Sequence, residues 1–146
     1  MIVNSLELFT ALAAQMNAHP DQFRPLGEAD MDAVIVMTGT RREGSFAVRL
    51  VFEGIRCEHV VDAEPDAPCE YRLAGPLTAW QAMFDDIVAH GHATGLQTIN
   101  SLALLGDDIA LGGTDPMGLD KFSRFNQTLQ EFFDGASKVL ALEVAP

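Results

Sequence analysis

The chain has 146 residues, 48% of them hydrophobic and 21% charged, with a formal net charge of −12. That length suits one domain spanning 1–146 and buries roughly 70% of the surface an unfolded chain exposes, while the apolar content excludes disorder, coiled coil and disulfide scaffolds. So acidic a chain repels phosphate backbones and anionic membrane surfaces, which counts against nucleic acid as a partner.

The first residues, MIVNSLELFTALAAQM, lack a basic n-region and carry Glu7 inside their apolar run, so they do not read as a signal peptide. From Ser5 to Met16 they put Leu6, Phe9, Leu12, Ala13 and Met16 at helical spacing, with Ser5 as cap and Pro20 beyond the end. DQFRPLGEAD follows as a loop or extra turn. Met31 to Met37 is short and β-branched, a strand, and Gly39 to Gly44 (GTRREG) is a turn.

Phe46 to Phe52 and Ile55 to Val61 alternate on either side of Glu53-Gly54, a two-residue hairpin signal. A loop of two pairs Phe52 with Ile55, Leu50 with Cys57, Val48 with His59 and Phe46 with Val61 on one apolar face, where His59 is the polar exception. The opposite face sets Arg49 across from Glu58, a favourable pair of charges, and reads as largely solvated. One apolar side implies an antiparallel sheet with helices on that side. Cys57 and Cys69 have no CxxC or Cys/His metal spacing and read as small buried or half-buried residues of a reducing compartment.

Ala63 to Pro68 is a loop, and Cys69 to Leu73 a further short strand. Pro76 opens an amphipathic helix carrying Leu77, Trp80, Met83, Phe84, Ile87 and Val88, which Gly91 ends. Thr94 to Leu105 fits a short helix or a strand. In DDIALGGTDPMGLDKF (107–122), Gly106-Asp107-Asp108 is a turn and Ile109 and Leu111 form a very short strand. Gly112-Gly113 turns the chain, Thr114 or Asp115 caps the last helix and Pro116 takes its first position. Leu119, Phe122, Phe125 (or Asn126), Leu129, Phe132, Phe133 and Ala136 mark that helix's buried face. The stretch has no Walker or GxGxxG pattern, and its acids would repel an anion; a calcium loop would need alternating oxygens and a closing Glu.

The run LAGPLTAWQAMFDDI, followed by LALLGDDIALGGTDP and an amphipathic helix, resembles the sterol carrier protein type 2 family of lipid-binding domains. The short strand of that family leads into its final helix through a G-x-I-x-L-x-G-D-like motif; here Gly106, Asp108, Ile109, Leu111, Gly113 and Asp115 occupy it, with Thr114 inserted before the last. The resemblance implies an α+β fold, a five-stranded, mainly antiparallel sheet with helices covering one face. It also implies an apolar tunnel for a fatty acyl chain, sterol or similar lipid, bound by shape and burial, with no cofactor, catalytic residue or metal.

The candidate ligand-binding residues are Trp80, Met83, Phe84, Ile87, Phe122, Phe125, Leu129, Phe132 and Phe133 from the helices and Leu50, Phe52 and His59 from the sheet. Met and Phe together make an adaptable pocket wall. The alternatives are a solid core, with the chain acting as an interaction module or homodimer, and a small enzyme on a hydrophobic substrate with His59 or His90 as base. His90-Gly-His92 supplies two imidazoles where a structural zinc needs four ligands. Asp85 and Asp86 read as the solvated side of their helix. With no apolar run near the ~20 residues of a membrane span, the expected setting is the cytoplasm.

Overall fold

The computed structural model describes residues 2–40, 44–106 and 108–140. Its centre is β1 (Met31–Thr40), paired antiparallel with β2 (Gly44–Glu53) on one side and parallel with β4 (Tyr71–Pro76) on the other. β3 (Arg56–Asp62) and β5 (Ala110–Gly112) add antiparallel edges, giving the order β3-β2-β1-β4-β5. Among the described residues three of the four pairings are antiparallel, so the sheet is mixed and mainly antiparallel.

Helices lie on one face: α1 (Leu6–Ala18), the single turn α2 (Pro20–Phe23), α3 (Leu77–His90), α4 (Ile99–Leu104), α5 (Pro116–Asp134) and α6 (Ala136–Val139). The alternation of β1 shows why. Ala33, Ile35 and Met37 join the core beneath the helices, whereas Val34 and Val36 point the other way. That second face is not bare. Ala63, Ala67 and Cys69 fold back over Val34, Val36 and Ala47, which corrects the expectation of a largely solvated surface there. A central strand buried on both sides reads as a continuous apolar run, as Val34–Met37 does.

The helix boundaries follow local chemistry. The Ser5 hydroxyl accepts from Leu8 N, and the Asp115 carboxylate accepts from Met117 N with Pro116 in the first position of α5. Gly91 ends α3 at φ +86°, a conformation glycine adopts without strain. Thr94 to Leu105 resolves into a 3₁₀ turn at Gly95–Gln97 and α4, whose Thr98 hydroxyl caps it. Residues 108–122 of the stretch hold the short strand β5, a turn at Gly113 and the capped start of α5; Asp107, and residues 41–43 between β1 and β2, lie outside the described residues.

The β2–β3 hairpin departs from its expected register. Glu53 pairs with Arg56 and Phe52 with Cys57, so the loop is Gly54-Ile55, with Gly54 at φ +63° in the first turn position. A second shift follows: Val51 faces His59, leaving Glu58 as the extra residue of a bulge. The bulge reverses the alternation, so Cys57 and then Val60 point to the core while His59 and Val61 face solvent. Arg49 consequently pairs with Asp32 of β1, through two hydrogen bonds of 2.9 and 2.6 Å, and not with Glu58.

Candidate functional site: the apolar layer between sheet and helices

The layer is built from three helices and the inner face of the sheet. α3 contributes Trp80, Met83, Phe84 and Ile87, and α5 contributes Phe122, Leu129, Phe132 and Phe133. Leu50 and Phe52 rise from β2, and α1 adds Leu8, Phe9, Leu12 and Met16. Ten of the twelve candidate residues lie in this one buried cluster, and Phe125 packs at its edge beneath the Arg124 guanidinium, 5.1 Å from the ring centroid. His59 is outside it, exposed on the solvent side of the bulge, which removes it as a cavity residue and as a base acting there.

The rings touch one another. Phe52 meets Phe132 edge-on at 5.1 Å, Phe133 meets Trp80 at 6.0 Å and Phe84 at 5.9 Å, and Tyr71 meets Phe122 at 5.6 Å. Edge-to-face pairs of this kind add attraction beyond area burial. The polar handles are partnered: Trp80 Nε1 donates to the Val36 carbonyl at 3.0 Å, and the Tyr71 hydroxyl donates to Met31 Sδ at 3.1 Å. Burial holds the Tyr71 phenol well above its ordinary ionisation range. Among the described residues, Thr128 is the buried polar side chain besides these. Such an environment excludes water and attracts apolar surface; it offers no charge to a guest.

Polar chemistry is confined to the rim. An open groove of about 470 Å³ has Met31 and Phe52 among its lining and Asp30, Asp32, Glu53, Glu70 and Lys121 around them, with Lys121 Nζ 2.7 Å from Glu70 Oε2. Another, lined in part by Gln15, His92, Glu131, Asp134 and Lys138, lies at the far ends of α3 and α5. There burial raises the Glu131 and Asp134 carboxyls, the Asp134 charge adding to the effect on Glu131.

Three side chains to which the sequence assigns no such partner hold the segment between α3 and α4. Asp86, expected on a solvated face, accepts from Thr94 N at 2.6 Å and from the Thr94 hydroxyl at 2.9 Å. The Thr94 amide is the main reason its carboxyl is held below the ordinary range. Asp134 accepts from Ala93 N at 3.1 Å, and Gln130 Oε1 from Ile99 N at 2.6 Å. The available signal was the loop itself: backbone donors between two helices need acceptors, and flanking helices supply them. His90 Nδ1 lies 3.0 Å from the Asp86 carbonyl and His92 Nδ1 3.0 Å from the Ala93 carbonyl. Among the described residues no group of three or more His, Cys, Asp or Glu is placed to hold a metal ion, and no helix is long and apolar enough to cross a membrane.

No protein-family model and no curated protein matches the chain. Two solved structures share its architecture. A crystal structure of sterol carrier protein 2 is 14% identical, covering 94% of this chain and 98% of its own, with a TM-score of 0.71. A solution structure of a conserved hypothetical protein from Thermus thermophilus, described as a candidate sterol carrier protein, is 15% identical, covering 94% and 91%, with a TM-score of 0.66. The chain thus has the sterol carrier protein 2 fold.

Proposed function

We propose that this chain binds a hydrophobic small molecule, an acyl chain, sterol or related lipid, between the sheet and helices α3 and α5. The observation that carries the reading is the fold: nearly the full chain superposes on a protein named for carrying sterols. The composition of the layer supports it, because Trp80, Met83, Phe84, Phe122 and Phe132 present large, partly adaptable apolar surfaces from elements that can separate without breaking a strand pairing. Binding is by burial, at ~25 cal/mol per Å² of apolar area removed from water, less the cost of association. Because the rings are in mutual contact, a guest displaces them and does not drop into an empty tunnel.

The contact between rings also favours a second reading, a filled-core module that pairs through exposed apolar residues such as Leu104, Leu105 and Met117. The two separate in one experiment. Purified protein is extracted, its co-purifying lipid identified by mass spectrometry, and the delipidated chain melted with a panel of fatty acids, fatty alcohols and sterols. At a hundredfold excess over Kd a ligand adds ~2.7 kcal/mol, a rise of roughly 5–10 °C for a chain of this size. No lipid in the extract, an unmoved melting temperature and a stable dimer would favour the second reading.

A further inference from the structure

If a guest enters a layer whose side chains are buried, one part of the cover must open, and the cover is not uniform. The sheet is cross-paired throughout. α1, α3 and α5 each sink four or more side chains of the core. The segment 19–30 sinks the aromatic ring of Phe23 and ties Ala29 N to the Gly54 carbonyl at 2.8 Å. The segment 91–105 buries about as little: Ile99 is its fully buried large side chain, Ala93 is buried as well, and Leu102 and Ala103 are partly covered. Leu96, Leu104 and Leu105 face outward, 73%, 54% and 75% exposed.

What sets it apart is its attachment, by side chains where segment 19–30 also has a backbone bond to the sheet hairpin. Near its start Ala93 N and Thr94 N are held by carboxylates of Asp134 and Asp86; at its middle, Ile99 N is held by Gln130. Asp134 and Gln130 share a further bond of 2.8 Å, so two of these three tethers hang from one face of α5. Side-chain tethers of this kind are released by rotation about a few χ angles, with no helix or strand unmade. Gly91 and Gly95, at φ +86° and +53°, give the chain its turns beside the first tether.

We propose that residues 91–105 form the gate of the apolar layer: a strap that lifts as a unit when the Asp86, Asp134 and Gln130 tethers let go, exposing the layer at Ile99. This rests on the binding reading above, in which the gate closes again, with Ile99 on its inner side, once a guest has entered. Low-stability segments of this type are where entry motions are drawn from.

Hydrogen exchange on the full chain without lipid tests the opening. The amides of Ala93, Thr94 and Ile99 should exchange together, well ahead of Ile35 and Val48 in the central strands. Asp86→Ala and Asp134→Ala should each speed them about tenfold, the scale of one lost hydrogen bond to a charged group, and Asp134→Asn, which keeps an acceptor, should restore most of the protection. Exchange of the three amides only at the rate of Ile35 and Val48 overturns the proposal. Entry is timed by stopped-flow quenching of Trp80 with a brominated fatty alcohol. Faster quenching in the two alanine variants, at unchanged final amplitude, supports the gate. Quenching at a rate indifferent to the tethers overturns the gate and leaves the binding reading standing. No quenching in any variant overturns the binding reading and the gate with it.

Discussion

A Cβ on Gly118 would stand 2.0 Å from the Glu70 carbonyl oxygen, a backbone atom that cannot swing aside. The first turn of α5 rests on the backbone just before β4 at this point, and only glycine permits the approach. Gly118→Ala should therefore lower the melting temperature: the overlap costs ~1–3 kcal/mol or more, against at most ~1 kcal/mol gained in helix propensity. A rise would mean that α5 is not seated on Glu70. The thiols make a second residue-scale case. Burial pushes Cys57 from 9.0 to about 12, and Cys69, half-buried, is raised for the same reason. A thiol raised on folding stays neutral while the unfolded chain ionises, so its contribution is intact below pH 9 and erodes between pH 9 and 12. Cys57 should resist thiol reagents in the native protein at pH 8 and Cys69 should react first, by mass-spectrometric labelling. Neither glycine contact nor thiol order was legible in the sequence, because each depends on which backbone passes nearby.

At the scale of elements, period and punctuation were informative and register was not. Helices α1, α3 and α5 announce themselves through Ser5, Pro76, Gly91 and Asp115, because a cap is a short-range fact. The β2–β3 register depends on which turn position takes Gly54 and on the unpaired Glu58, and a single slip exchanges the faces. A hairpin without the bulge puts His59 inside for that reason. The bulge makes a sharp prediction. Val60→Asp puts a charge against the core and should lower the melting temperature by several degrees, whereas His59→Asp, on the solvent side, should fall within the roughly ±0.5 kcal/mol of surface changes. The reverse order would restore the simple hairpin. The tethers of the 91–105 segment are not legible in the sequence, because Asp86 reads as the solvated side of its own helix while its partner Thr94 lies past the helix end.

For the molecule as a whole, the sheet order could not be read from alternation alone, since the parallel pairing of β1 with β4 joins strands far apart in sequence. The aromatic stripe could: ten of the named residues meet in one cluster because 3.6-residue spacing puts them on single helix faces. What spacing cannot say is whether such a stripe closes on itself or on a guest. Trp80, the chain's one tryptophan, sits at that boundary, in contact with Phe133 and donating to Val36. Titration of the delipidated protein with a brominated fatty alcohol, followed by Trp80 fluorescence, is therefore the most direct measurement. Saturable quenching, reversed by an unbrominated lipid, is the result predicted here. Fluorescence that stays constant through the titration, with the protein folded throughout, would contradict a guest between sheet and helices.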